Sequence, residues 1–289
     1  MSFSLQLPKP ILDFDILSHE ACFLILDGSQ IEKLELLLLQ QDLQPQAICP
    51  LRFLPLREVS PFIIKLTPTA MSWFTQYNQA NVGYIISSDA NIDQLATIDQ
   101  LATILSDFFE VLSPYGSKVF LKVGQPEVMN VILNDQECYL WAAISKVWLP
   151  TREGWISLCH DEKIALREKR EIYPLSDQQW KQLGDITRRN TVEKVHQHLS
   201  TYFPEALQQH NYPLLWIKEW VQNAHDMQFE TDTDVLHFFN ILALLGENVL
   251  KTDRYPHIKQ LLETPSAQTP SMRVAKADEL AHKEVSHVK

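Results

Sequence analysis

Short apolar runs alternate with segments of helical periodicity through the first part of the chain. The runs are rich in β-branched and aromatic residues, as strands are, and the segments between them place apolar residues three and four apart, as helices do. The predicted strands are Cys22–Leu26, Phe62–Leu66, Tyr84–Ser87 and Lys118–Val123, with further strands between Tyr139 and Cys159. The predicted helices are Ile31–Gln41, Ala70–Gln79, Ile92–Phe109 and Glu127–Leu133. This alternation predicts an α/β lobe over residues 1–170, with a mixed or partly parallel sheet flanked by helices.

Helical patterns alone follow from residue 171 onward. The predicted helices are Asp177–Leu199, Leu214–Gln228, Asp232–Leu245 and Pro256–Glu263. Ser176 with Gln179, and Thr231 with Asp234, have the spacing of a capping box, and Gly246 is placed to end a helix. We therefore expect an all-α carboxyl-terminal lobe, a helical bundle over residues 171–263. Residues 264–289 contain few large apolar side chains, which predicts a disordered tail.

Composition and charge narrow the class of partner. The 289 residues carry a formal net charge of −11, which disfavours nucleic acid because phosphate binding requires clustered Lys and Arg. The cysteines at 22, 49, 138 and 159 form no C-x-x-C motif, so they are expected to be free thiols in a reducing compartment. We find neither a signal sequence nor an apolar run of about 20 residues, so no membrane contact and a cytoplasmic location are expected.

The turn that follows the first strand contains the most prominent carboxylate. Asp27 ends an apolar run and precedes Gly28 and Ser29, where Ser29 is predicted to cap the next helix with Glu32 returning the bond. Asp27 is then a residue of the turn or a contact for a partner. The alternative is a magnesium-dependent phosphohydrolase that uses Asp27 or the pair Asp13 and Asp15. Such phosphatases need a second acidic residue two positions after the first, and after Asp27 that position is occupied by Ser29. No catalytic site, bound metal or cofactor is therefore expected.

Four motifs in order resemble the type VI secretion effector adaptors, also called VgrG-effector loading chaperones. The first is an apolar strand ending in Leu26-Asp27-Gly28, and the second is Pro61 followed by the apolar strand to Leu66. The third is the strand Tyr84–Ser88 before a long helix. The fourth, Leu121 to Pro126, departs from the family pattern, since Lys122 stands for its Arg and Gln125 for its Asp. The resemblance covers about Cys22 to Leu158 and extends more loosely into the helical lobe.

The resemblance implies a bacterial adaptor that is not an enzyme. Such a protein binds a secreted toxin effector in the cytoplasm and delivers it to its cognate VgrG spike protein. Aromatic anchors are typical of the centre of protein interfaces. The candidate partner-binding residues are Asp27, Phe62, Trp73, Trp216 and Trp220, and each aromatic residue among them is also a candidate for the protein's own core.

Overall fold

The computed structural model describes residues 21–77, 81–88, 94–152 and 154–287. Asp13 and Asp15 lie outside these ranges, as do Gln79 and Ile92 at the ends of two predicted helices. The chain divides into two compact units, and the division falls between Ile186 and Thr187. The predicted fold class is confirmed, since the first unit contains sheets with helices and the second consists mostly of helices.

The first unit contains nine strands among its described residues. They are β1 (Ala21–Asp27), β2 (Gln46–Ala47), β3 (Pro61–Lys65), β4 (Gly83–Ser88), β5 (Glu110–Leu112), β6 (Lys118–Phe120), β7 (Lys146–Pro150), β8 (Trp155–Cys159) and β9 (Tyr173–Pro174). The helices are α1 (Leu34–Gln40), α2 (Pro68–Tyr77), α3 (Gln94–Ser106) and α4 (Pro126–Leu133), with 3-10 helices at Leu51–Val59 and Tyr139–Ala142. Helix α5 (Asp177–Tyr202) begins in this unit and ends in the next.

Six strands form one sheet in the order β2-β3-β1-β4-β7-β8, and all of its pairs are antiparallel among the described strands. The parallel pairing predicted from the alternation occurs in a second sheet, β6-β5-β9, between β5 and β9. The predicted strand Lys118–Val123 is the short β6 of this second sheet. The strands expected between Tyr139 and Cys159 are β7 and β8.

The six-stranded sheet is buried on both faces, which explains the continuous apolar run in β1. Phe23 and Ile25 pack into one core with α3 and α4, while Leu24 and Leu26 pack into another with α1 and α2. A strand covered on both faces needs apolar residues at every position, so period-two alternation is lost. The core of the first unit therefore lies on the two sides of one sheet.

The second unit consists of helices α6 (Pro204–Gln208), α7 (Pro213–Asp226), α8 (Asp232–Leu245), α9 (Asn248–Lys251), α10 (Pro256–Glu263) and α11 (Pro270–His287), together with the end of α5. Both predicted capping boxes are confirmed. The Asp234 backbone N–H donates to Thr231 Oγ1 over 3.1 Å, and the Gln179 N–H donates to Ser176 Oγ over 3.2 Å. Gly246 follows α8 with a φ of 73°, which glycine adopts without strain.

The expectation of a disordered tail after residue 264 is wrong. Helix α11 packs along α8, and Val274, Ala277 and Ala281 are fully buried between them. These residues recur at helical spacing, but two of the three are alanines, so the apolar stripe has little bulk. Buried polar residues hold the helix as well, among them Arg273 and Asp278. Counting only large apolar residues therefore underestimates the order of this segment.

Candidate functional site

Three of the four sequence motifs meet at the end of β1. Asp27 lies opposite Pro61 in the β1–β3 register. Gly28 passes so close to the second motif that a Cβ on it would lie 2.2 Å from the Ser60 carbonyl oxygen. Gly124 of the fourth motif packs against Asp27, and a Cβ there would lie 2.8 Å from the Asp27 Cα. Both glycines are therefore required by close backbone approach, and the motifs are one structural unit.

Asp27 is a buried carboxylate with one open position. Its side chain is 3% exposed, and Oδ1 accepts the Ser29 backbone N–H over 2.9 Å. Oδ2 has no hydrogen-bond partner among the described residues. Loss of solvation raises the pKa of this carboxyl above its usual value, against the Ser29 hydrogen bonds and the attraction of the Lys122 ammonium, which lower it. The burial leaves Asp27 with a structural role in this turn, and its role as a partner contact stays a prediction.

The predicted capping role of Ser29 is wrong. Helix α1 starts at Leu34, after Lys33 in the left-handed region with a φ of 55°. The preceding residues form turns instead, since the Gln30 N–H donates to the Asp27 carbonyl over 3.1 Å. The Ser29 backbone N–H donates to Asp27 Oδ1, as in an Asx turn, and helix α1 has no side-chain cap. Ile31 lies in this turn and is buried, so its apolar side chain predicts the start of the helix at Ile31 although the helix begins three residues later.

Tyr84, from the third motif, forms a hydrogen bond with the backbone of the fourth motif. Its side chain is fully buried, and its hydroxyl donates to the Val123 carbonyl oxygen over 3.1 Å. Burial, reinforced by the nearby charge of Asp27, raises the pKa of this phenol, so it stays a neutral donor. The family motifs thus build a rigid junction of loops at one end of the sheet.

The aromatic candidates of the first unit lie in its core. Phe62 is fully buried on β3 beside Leu26, and Trp73 is buried on α2 in the same core cluster, with its ring 4.6 Å from that of Tyr77. Side chains enclosed in this way stabilise the sheet and its helix. Their role as anchors for a partner stays a prediction that the burial does not favour.

The two tryptophans of the second unit share one carboxylate. Trp216 and Trp220 donate their indole N–H groups to Glu247 Oε1, over 2.9 and 3.3 Å. The hydrogen bond from Lys251, followed by those of the indoles, lowers the pKa of Glu247 and keeps it anionic. The His210 ring stacks on Trp216 with centroids 4.1 Å apart. The structure therefore brings these two residues together, as part of the core, with exposed Leu214 and Leu215 directly before Trp216 in α7.

An exposed apolar surface of the first unit was not predicted. We call it the leucine patch, and it comprises Leu36 and Leu39 of α1 together with Leu51, Leu54, Leu56 and Val59 of the following 3-10 helix. Leu51 is 89% exposed. The two segments are joined by an ion pair between Arg57 and Glu35 over 2.6 Å, and Leu36 and Leu54 line one cavity of about 360 Å³ between them. The signal was present in α1, whose run of leucines is longer than one buried face can use.

Two classes of site find no support among the described residues. No group of three His, Cys, Asp or Glu side chains in that part of the chain could hold a metal ion. No helix within the described ranges combines the length and the apolar composition needed to cross a membrane.

Comparison with known proteins assigns the family. The model of a family described as a domain of unknown function, DUF4123, matches residues 22–138, the part that contains all four motifs. Accessory protein VasW of Vibrio cholerae serotype O1 is 36% identical over 277 residues, which cover 94% of this chain and 91% of VasW. No solved structure matches the chain. The chain therefore belongs to the DUF4123 family, the type VI secretion adaptor family that its motifs resemble. Its role is associated with type VI secretion.

Proposed function

We propose that the protein binds a type VI secretion effector in the cytoplasm and loads it onto its cognate VgrG spike protein, without catalysis. The observation that carries the proposal is the similarity to a secretion accessory protein across nearly the whole chain. A relation over both units implies that the shared role uses the complete two-unit protein. The association with the secretion system is established by the family, and effector capture and spike loading are the proposed steps.

The leucine patch supports effector capture. Contiguous exposed apolar patches rimmed by polar groups mark sites of protein interaction, and Leu36 and Leu54 of the leucine patch line one cavity. The Arg57–Glu35 pair fixes the two segments relative to each other, so the surface is formed before binding. A preformed apolar surface suits the covering of an apolar region of an effector before export.

The buried state of Asp27 supports a role without catalysis. A general acid or nucleophile must reach its substrate, whereas the Asp27 carboxylate lies against Gly124 and is bonded to the turn that follows it. A magnesium-dependent phosphatase screen tests this part of the proposal. We expect no turnover, and turnover abolished by Asp27→Asn would contradict it.

The test of effector binding is affinity purification of the tagged chain from a strain with active type VI secretion, with mass spectrometry of the retained proteins. We expect one toxin-like effector together with one spike protein. The double variant Leu51→Ser, Leu54→Ser should lose the effector, because both substitutions remove apolar area from the leucine patch. Leu214→Ser, on an exposed apolar residue of the second unit, is the matched control and should retain it. Recovery of neither partner by the wild-type chain would overturn the proposal.

A further inference from the structure

We propose that the outer edge of β8 binds an extended segment of the VgrG spike protein as a seventh strand of the sheet. The inference rests on the proposed function, since it assigns the second of the two partners to a surface. Strand β8 is the last strand of the order β2-β3-β1-β4-β7-β8, and it pairs with β7 on one side. Its other side is the edge in question.

The register fixes which backbone groups point outward. Thr151 and Gly154 exchange both backbone hydrogen bonds, over 2.7 and 3.4 Å, and the alternation of an antiparallel pair then makes Leu149 with Ile156 and Val147 with Leu158 the bonded pairs. The peptide groups of the residues between them point away from β7. These residues are Trp155, Ser157 and Cys159.

A side-chain amide already binds part of this edge. Gln136 Nε2 donates to the Cys159 carbonyl over 3.3 Å, and Gln136 Oε1 accepts the Asp161 N–H over 2.8 Å. One amide thereby satisfies the outward C=O of one residue and the outward N–H two residues on, as a residue of an added strand does. The edge therefore accepts amide groups in the geometry of a strand. The outward groups of Trp155 and Ser157 and the Cys159 N–H have no partner among the described residues.

The strand lacks the devices that protect edges. Natural edge strands are blunted by charged side chains, by proline or by short length. The sequence of β8, Trp-Ile-Ser-Leu-Cys, has neither a charge nor a proline, and it is five residues long. The opposite edge, β2, has only two residues, and the edge strand β6 carries Lys118. Among these edges β8 alone combines length with an uncharged sequence, so it is the one suited to pair with another chain.

The side chains of β8 define the chemistry of the segment that fits. Ile156 and Leu158 lie on the face of the sheet that carries Val147 and Leu149, and Ile156 is 37% exposed. Ser157 lies on the other face, where it is exposed. A partner strand therefore matches this edge when apolar residues face Ile156 and Leu158 and polar residues alternate with them.

Two observations decide the occupant. The net charge of −11 opposes edge-to-edge pairing of two copies of this chain, which would bring like charges together. One segment of the leucine patch comes before β2 in the sequence and the other comes after it, and β2 is the opposite edge strand of the sheet. Five spacings of about 4.8 Å place the β2 edge about 24 Å from the β8 edge. An adaptor has to hold its two partners at once on surfaces that do not overlap. Because the effector is assigned to the leucine patch, we assign the spike protein to the β8 edge.

The test compares Ser157→Pro with Ser157→Ala. Proline removes one outward N–H and blocks an added strand, and edge strands tolerate it where the N–H faces solvent. Alanine keeps the N–H and is the matched control. The probes are the purified spike and effector recovered in the affinity purification described above. We expect Ser157→Pro to weaken spike binding at least tenfold and to leave effector binding within twofold, whereas Ser157→Ala changes neither.

Three results overturn the inference: equal spike binding by both variants, loss of the effector instead of the spike in Ser157→Pro, and a dimer of the wild-type chain that Ser157→Pro dissociates. If Ser157→Pro fails to fold, amide hydrogen exchange of the wild-type chain decides. Bound spike should slow exchange of the Ser157 and Cys159 N–H groups at least tenfold, and unchanged exchange refutes the edge. A wild-type chain that binds the effector but not the spike refutes this inference and the loading step, whereas effector capture stands.

Discussion

The two units of this protein differ in the interactions that stabilise the inside of each unit. The first packs large apolar side chains on both faces of a sheet, as Phe62 and Ile25 illustrate. In the second, α11 contributes alanines and a few buried polar side chains, and Arg273 alone donates to three carbonyl oxygens near the end of α10. A segment without bulk can thus be ordered by hydrogen bonds and close packing.

Deletion of residues 265–289 should unfold the second unit. Without α11 the buried face of α8 meets water, and the polar ties to Asp234 and to the end of α10 are lost. Circular dichroism should show a loss of helix larger than the deleted segment accounts for, and limited proteolysis should cleave after residue 187. A truncated chain with a protected second unit would show that α11 is dispensable.

Phe62→Ala should destabilise the first unit by about 3 to 5 kcal/mol, because it leaves a cavity in a core closed on all sides. Leu51→Ala, in the leucine patch, removes a side chain that is mostly exposed and should change stability by less than about 0.5 kcal/mol. Urea unfolding monitored by hydrogen exchange in β1 and β3 measures both. Equal effects of the two substitutions would contradict the assignment of core and patch.

Arg273→Ala should destabilise the second unit by about 3 kcal/mol, since it leaves the carbonyl oxygens of Leu261, Leu262 and Thr264 without their charged donor. Lys276→Ala, on an exposed position of the same helix, is the control and should cost less than about 0.5 kcal/mol. Hydrogen exchange of the backbone amides of α10 in urea distinguishes the effects of the two substitutions. A tolerated Arg273→Ala would mean that the small apolar residues suffice.

Asp27→Asn should show a small effect that depends on pH. Because burial raises the pKa of Asp27 in the folded state, the folded chain binds more protons than the unfolded chain between the two pKa values, and stability falls as pH rises through that interval. Asparagine removes this loss, so the stability of the variant relative to the wild type should be greatest at pH 7 and decline toward pH 4. Thermal unfolding of the variant and the wild type between pH 4 and pH 7 measures this difference, and a difference that does not change with pH would contradict the prediction.

The fold class could be predicted because apolar runs and capping boxes are both local features of the sequence. Unbroken apolar runs such as that of β1 indicate buried strands, and the capping boxes at Ser176 and Thr231 indicate where helices begin. The direction of strand pairing depends on the path of the chain between strands, so the alternation gave no means of predicting that the large sheet is antiparallel. Alanines at 277 and 281 fill α11 without the bulk on which pattern analysis relies.

The candidate site was predicted less well, for a physical reason. Tryptophan and phenylalanine have the same appearance in sequence whether they anchor a partner or fill a core, and Phe62, Trp73, Trp216 and Trp220 are all buried. The leucine patch depends on which side of α1 faces solvent, which tertiary packing decides. The edge of β8 depends on being the last strand of the sheet, and strand order is not a local property of the sequence.

Effector export by a strain that lacks this chain tests the proposed adaptor role most directly. Culture supernatant and cells are compared by mass spectrometry for the deletion strain and for strains complemented with the wild-type chain or with Leu51→Ser, Leu54→Ser. We expect that one effector disappears from the supernatant of the deletion strain and that other substrates of the same system are still exported. Of the two complementing chains, only the wild type should restore the missing effector. Export of every effector at wild-type levels in the deletion strain would contradict it.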